Sequence, residues 1–399
     1  MDHLLSTRVK SIKPSPTLAV TAKAAELRAS GIDVIGLGAG EPDFDTPTHI
    51  KEAAISAINE GHTKYTPVGG TPQLKEAIVN KLKRDNKLNY GLENILVSCG
   101  AKQSIFNLMS AILNPRDEVI IPAPYWVSYP DMSKIFGASP VIIPTSMDAN
   151  FKLSAQQLEE SISTKTKLLI LNSPSNPTGA VYTKDELTAL GEIIAQYPNM
   201  MVISDDIYEH IIWTNEPFNN IASACPDIKD QVMVVNGVSK AYAMTGWRIG
   251  YAAGNANIIK AMTKIQGQST SNPSSISQQA AISALNSGLD AVTSMVKEFK
   301  SRHDYLVQAL NSIPLISCLP GQGAFYAFPY VGALIKNIPN VNNDTEFAEH
   351  LLSEAQIAVV PGSAFGSPDF IRISFATSKE VLETAITRLT NYVHKHNNA

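Results

Sequence analysis

Short, β-branched apolar runs alternate along the chain with longer helical patterns. The runs Asp33–Leu37, Ile95–Ser98, Glu118–Pro122, Val141–Pro144, Lys167–Leu171, Met201–Ser204, Val232–Asn236 and Ile249–Ala252 read as strands. Between them, Gln73–Asp85, Lys102–Leu113, Lys184–Tyr197 and Ile258–Ile265 read as helices. The strands are continuously apolar rather than alternating, as in a sheet covered by helices on both faces. The expectation is an α/β fold around a mostly parallel, doubly wound sheet.

Two composition shifts interrupt this pattern. Gly40–Pro47 carries two prolines and three acids and reads as a loop. Gly267–Gln278 is Ser-rich and precedes long helices from about Gln278 to Leu310. Residues 311–399 then read as a smaller α+β unit. Its strands include Ala324–Phe328, Ala358–Val360 and Ile371–Phe375, and its helices Asp344–Ala355 and Lys379–Lys395. No self-similar period suggests a solenoid or propeller.

Composition narrows the class. With 399 residues, 44% apolar and 17% charged, the chain is globular, with length for two or three domains and a large core. Lys+Arg number 32 against 36 Asp+Glu, a net charge of −4, which gives no basic footprint for nucleic acid and no polybasic membrane patch. No apolar run is long enough to span a bilayer, and the first residues are polar and basic without the apolar core of a secretory signal. Cys99, Cys225 and Cys318 are odd in number and far apart, which points to reduced thiols and a cytoplasmic location.

Candidate chemistry begins with Gly36–Gly40 (GLGAG), which follows a strand. A dinucleotide fingerprint would need a third glycine and a helix start, yet Glu41-Pro42 and Pro47 follow, so a tight loop is the better reading. No P-loop, GxSxG elbow or HExxH pair occurs, and the eight histidines show no metal-ligand spacing. Ser98–Gln103 runs from a strand through Gly100 into a helix start, where free N–H groups and the helix dipole suit an anion. Downstream, Asn172–Ala180 (NSPSNPTGA), Ser204–His210 (SDDIYEH) and Ser239-Lys240 each follow a strand. Crevices at strand C-termini bind ligands in such sheets. On spacing alone, the acids and the lysine there read equally well as structural ion pairs.

Taken together, NSPSNPTGA, SDDIYEH, SKAYAMTGWRIG (239–250) and FIRISFA (370–376) resemble the class I/II aminotransferases of the fold-type I pyridoxal-phosphate enzymes. AGEPDFDTP (39–47), TKYTPVGG (63–70), GAKQSIFN (100–107) and PYWVSYP (124–130) are similar to the bacterial 1b subgroup of aspartate aminotransferases. The likeness extends over nearly the whole chain. It implies an N-terminal arm and part of a small domain over 1–45, a large cofactor-binding domain over 46–290 and a small C-terminal domain over 291–399. It also implies a homodimer with shared active sites, acting on amino acids and 2-oxo acids.

The resemblance assigns roles residue by residue. Lys240 is the lysine that joins pyridoxal 5′-phosphate and shuttles the substrate's Cα proton, a task suited to an amine that is both nucleophile and base. Asp205, rather than the adjacent Asp206, faces the pyridine nitrogen. Asn176 and Tyr208 hydrogen-bond the 3′-oxygen, and Trp126 stacks on the ring. The phosphate falls to the backbone of Ala101 and Lys102, the Ser239 hydroxyl, the Arg248 guanidinium and Tyr65 of a neighbouring subunit. Gly237 departs from the many relatives with a second serine there, which removes one phosphate hydrogen bond. Arg372 grips the substrate α-carboxylate, which Gly40 also meets through its backbone.

Substrate choice follows from what is missing. No arginine lies between Arg248 and Arg302, where the animal-type subgroup places its distal-carboxylate arginine. Lys102 matches the cation of the 1b subgroup instead, which implies aspartate and glutamate with their 2-oxo partners. Thr17 matches a position associated with prephenate use, so a dual aspartate/prephenate enzyme is the alternative, and one for neutral or aromatic amino acids a third. A non-catalytic regulator would carry a DNA-binding unit ahead of a pattern that here begins at Ser11–Thr17.

Overall fold

The computed structural model describes residues 2–14 and 16–397, so Ser15 of the Ser11–Thr17 stretch lies outside the described residues. Its centre is a seven-stranded sheet. In chain order the strands are β1 (Ile95–Ser98), β2 (Glu118–Ala123), β3 (Ser139–Pro144), β4 (Thr166–Asn172), β5 (Met201–Asp205), β6 (Val232–Gly237) and β7 (Gly250–Ala253). They lie side by side in the order β1-β7-β6-β5-β4-β2-β3. Neighbours pair in parallel except β7, which runs antiparallel to both β1 and β6.

The continuous apolar runs are explained by their two faces. Ile95, Val97, Leu169, Val202 and Val234 enter one buried cluster, while Leu96, Leu168, Ile170, Ile203 and Val235 enter another on the opposite side. Each residue of such a strand is buried whichever way it points, so the sequence does not alternate.

Helix boundaries follow local chemistry. Thr71 caps Pro72–Asn86 with proline at the first position, and Thr183 with Glu186 forms a capping box on Lys184–Ile194. The expected Gln278–Leu310 stretch is two helices, Ser275–Asn286 and Asp290–Asn311, parted at Ser287-Gly288. Helix Ser128–Ile135 is additional, its helical pattern hidden by Pro130, which the first turn tolerates.

A second core gathers the C-terminal part. Val360–Pro361, Ile371–Ser374 and Tyr326–Ala327 form an antiparallel three-stranded sheet, and Ile35–Gly36 pairs in parallel with Ile357–Ala358. Leu37 continues this pairing through Ala358 and Ser374, and Ile35 and Leu37 share an apolar cluster with Phe299, Phe325, Phe347 and Phe375. Gly36 and Leu37 of the expected GLGAG loop thus belong to the strand pairing, and the chain leaves Leu37 directly for the loop Gly38–Gly40. That loop therefore sits between the two cores.

Candidate active site

A cavity of about 290 Å³ opens between the C-terminal edge of the large sheet and the smaller unit. Its position follows from topology. The connection from β6 to β7 reverses direction and carries Ser239, Lys240 and Arg248 across the sheet edge. The antiparallel course of β7 puts Gly250 beside both Ser98 of β1 and Gly237 of β6. Helix Ala101–Ile112 starts there, after Gly100 at φ +92°. A Cβ on Gly100 would overlap the Arg248 guanidinium, and one on Gly250 would overlap the backbone of Gly100 and Ala101. Only glycine lets this helix start, the arginine and the strand meet so closely.

Arg248 Nη1 donates to Thr245 O at 2.8 Å, and its Nη2 to Cys99 O at 3.3 Å. The guanidinium is thus held against the first turn of the helix. Free N–H groups, a fixed arginine and the nearby Ser239 form a cradle suited to a phosphate. The absence of a serine at residue 237 also has a steric reason, since a Cβ there would lie 2.9 Å from Ile249 O and 3.0 Å from Gly250 Cα.

Lys240 Nζ donates to Gly40 O at 2.7 Å. Burial pulls this amine down to about 8, against the pull of Glu41; Arg248 and Arg372 lower it further, and Asp205 opposes them. Asp205 is pushed up to about 6 by burial, against hydrogen bonds from Tyr129 and the Ile207 N–H and against the Lys240 charge. Tyr129 OH donates to Asp205 Oδ2 at 2.6 Å, and Asn172 Nδ2 donates to Asp205 O at 2.9 Å. Asp206 turns the other way, accepting from Ser204 Oγ at 2.7 Å and Asn220 Nδ2 at 3.0 Å.

At the opposite wall Arg372 is 2% exposed. Its Nη1 donates to Asn176 Oδ1 at 3.0 Å and its Nη2 to Gly38 O at 2.7 Å, while its buried Nε has no acceptor. The guanidinium carbon lies 4.5 Å from the Tyr326 ring centroid and 5.0 Å from that of Phe365. Tyr208 and Tyr326 share a hydrogen bond of 2.8 Å. Among the described residues, this cation meets neutral oxygens and aromatic faces but no carboxylate.

Thr17, Gly40, Ala101, Lys102, Trp126 and Asn176 line the cavity, as do Asp205, Tyr208, Ser239, Lys240, Arg248 and Arg372. Lys102 Nζ lies 4.7 Å from the Trp126 ring centroid, and burial with the Arg248 charge lowers its pKa. Tyr65 is absent from the lining and 92% exposed. Two tyrosines that sequence reasoning left unassigned also line it, Tyr129 and Tyr326. Tyr129 stands three residues after Trp126, in the first turn of helix Ser128–Ile135, with its N–H donating to Trp126 O; that closeness in sequence was a usable signal. Tyr326 had none, because its place depends on pairing with Ser374 in a distant strand.

This arrangement has the chemistry of an enzyme site: a helix start suited to an anion, a buried arginine suited to a carboxylate and a neutralisable lysine between them. The family model for aminotransferase class I and II matches residues 32–389, and the chain belongs to that family. It is 54% identical to the aspartate/prephenate aminotransferase of Nitrosomonas europaea, over 97% of this chain and 99% of that one. To the aspartate aminotransferase of Bacillus sp. (strain YM-2) it is 51% identical, over 98% of this chain and 100% of that one. The aspartate aminotransferase structure from Rhizobium meliloti superposes with a TM-score of 0.95 at 46% identity, covering 98% of each chain.

The protein is an aminotransferase, and its cofactor is pyridoxal 5′-phosphate. The residues present fit that group: an anion cradle, a buried carboxyl, a flat indole and a lysine of lowered pKa all open into one cavity. No helix among the described residues is long and apolar enough to cross a membrane.

Proposed function

We propose that this aminotransferase moves the amino group of aspartate to 2-oxoglutarate, giving oxaloacetate and glutamate. The observation that carries the reading is a pair of cations in one cavity, Lys102 and Arg372, the latter buried with a free Nε and no carboxylate partner among the described residues. Burying such a charge is costly unless a ligand anion completes it. An amino-acid α-carboxylate meets that need bidentately, with the Gly40 backbone beside it. Lys102, at the same cavity, is the cation for a second carboxylate.

Pyridoxal phosphate, when bound, supplies an electron sink for the charge that develops at the substrate Cα. The cradle of Ala101, Lys102, Ser239 and Arg248 would hold its phosphate. Asp205, oriented by Tyr129, would bond its pyridine nitrogen. Asn176 and Tyr208 would bond its 3′-oxygen, and Trp126 would cover its ring. Lys240 Nζ would accept the Cα proton and return it, and burial, which lowers its pKa, favours the neutral amine this requires.

The enzyme is a cytoplasmic homodimer in amino-acid biosynthesis, with a large domain over 46–290, a small one over 291–399, and an N-terminal arm and part of the small domain over 1–45. Free cysteines suit that compartment. Ile55 and Ile58, exposed on helix Thr48–Asn59, suit a subunit contact, and Tyr65 reaches the neighbouring subunit's phosphate. One observation favours a second activity, prephenate transamination. Thr17 and Lys102 line the same cavity as Arg372, and the Nitrosomonas relative bears the dual name.

A half-reaction screen tests the reading. Aspartate and glutamate should convert the cofactor absorbance of the loaded enzyme faster than alanine or phenylalanine. Equal rates across that panel would refute acidic-substrate preference. Arogenate formation from prephenate decides the second activity.

A further inference from the structure

Behind the segment that carries Asp205 and Tyr208 lies a second polar cluster. Lys81 and Glu209, 1% and 4% exposed, form an ion pair. Glu209 Oε1 also accepts from Asn236 Nδ2 at 2.7 Å, and its Oε2 accepts from Asn86 Nδ2 at 2.6 Å. Lys81 Nζ donates in turn to Asn86 Oδ1 at 2.7 Å. At the margin, His210 Nε2 lies 3.4 Å from Glu209 Oε1 and 3.5 Å from Asp85 Oδ2. None of these side chains lines the cavity. Apolar packing of equal volume would cost less than a buried pair of charges, so the cluster calls for a reason.

What it joins supplies that reason. The turn after β5 sends Asp205 and Tyr208 into the cavity and Asp206 and Glu209 away from it. Asn236 stands at the end of β6, and its Oδ1 accepts from the Gly237 N–H at 2.7 Å, just ahead of Ser239 and Lys240. Lys81 and Asn86 belong to helix Pro72–Asn86. One carboxylate therefore fastens the Asp205–Tyr208 turn, the strand end leading to Lys240 and a supporting helix. Lys81, His210 and the Asn86 donor hold that carboxyl below its usual range, against burial. It stays charged and keeps all three acceptor bonds.

We propose that Glu209 is a positioning residue: through Asn236 and Lys81 it sets the Asp205–Tyr208 turn in register with the Ser239–Lys240 segment. The proposal rests on the roles given above to Asp205, Tyr208 and Lys240. It extends them to residues that touch neither cofactor nor substrate.

The test uses loaded enzyme carrying Glu209→Gln or Asn236→Ala. The first removes the charge and leaves Lys81 with Asn86 and, at 4.0 Å, Asp85; the second cuts the link from Glu209 to β6 together with the Asn236 bond to the Gly237 N–H. Turnover should fall about 10- to 100-fold in Glu209→Gln and about 3- to 10-fold in Asn236→Ala, equally for aspartate and alanine, with KM within about threefold. The pH midpoint of the cofactor absorbance should move by roughly half a unit or more in both. A role in stability alone would lower Tm and leave turnover per loaded site and that midpoint at wild-type values, which would overturn the proposal. Should Glu209→Gln fail to fold, Asn236→Ala decides by the same criteria, since it keeps the ion pair. Borohydride fixation of the cofactor in the wild type, followed by peptide mapping, tests the underlying roles separately. A label on another lysine overturns those roles, whereas a label on Lys240 with wild-type behaviour in both variants overturns the positioning proposal alone.

Discussion

Arg372 and Lys240 show how a site built for ligands leaves charges ill at ease in the free protein. Replacing Arg372 with Leu should harm every amino-acid substrate, because all share the α-carboxylate. Losing a bidentate charged pair costs about 3–5 kcal/mol, or roughly 10²–10⁴-fold in kcat/KM. Steady-state kinetics with aspartate and alanine check this, and a loss confined to dicarboxylates would make Arg372 the distal anchor instead. Lys102→Ala should be selective, lowering kcat/KM for aspartate roughly 10- to 100-fold more than for alanine, since only aspartate has a second carboxylate. For Lys240, burial draws the folded-state pKa down to about 8 from an ordinary 10.5. Between those values the unfolded chain binds the extra proton, so apoprotein stability should rise as pH climbs from about 8 through the ordinary lysine range. Denaturant melts should show a shallower rise over that range in Lys240→Met apoprotein than in the wild type, the remainder coming from other lysines whose pKa burial lowers, such as Lys102.

At the scale of elements, the phosphate cradle depends on a helix start, a strand and an arginine meeting without side chains between them. Gly250→Ala places a methyl against the Gly100–Ala101 backbone. Overpacking of this kind costs about 1–3 kcal/mol. Displacing one N–H from the phosphate should raise the cofactor dissociation constant about tenfold. Gly246→Ala in the same connection has no atom within 4 Å of its Cβ and should change neither quantity. Thermal melts and cofactor titrations of the two variants make the comparison. Most elements here were readable from pattern: β1 and helix Asp344–Ala355 have the expected bounds. The direction of β7 was not readable. An apolar run of four residues looks the same whichever way it is threaded, and only its neighbours' hydrogen bonds decide.

For the whole molecule, Tyr65 offers a test of shared sites. Tyr65→Phe should weaken cofactor binding, and Lys240→Ala should abolish turnover while still binding cofactor. A mixed dimer of the two variants would contain one site with both Lys240 and a neighbouring Tyr65 intact. It should therefore recover close to half of wild-type turnover at limiting cofactor, measured after the variants are mixed and the hybrid isolated. No recovery would mean that Tyr65 serves its own subunit or none.

The sequence by itself determined the alternation of buried strands and helices, because a strand covered on both faces must be apolar throughout. It also carried the residue types of the site, since a lysine nucleophile, a carboxyl, an anion cradle and an arginine are needed wherever this chemistry is done. Tertiary structure decided which of those groups lack a partner. Arg372 is distinguished by what fails to approach it, and that depends on Gly38, Asn176 and Tyr326 arriving from three separate parts of the chain. Likewise SDDIYEH contains Tyr208 and Glu209 side by side, one facing the cavity and the other an ion pair with Lys81. Local pattern reports which face of an element is apolar. Burial, pairing and the pKa shifts they cause are set by atoms a few ångströms away in space and, for Lys81 and Glu209, 128 residues apart in sequence.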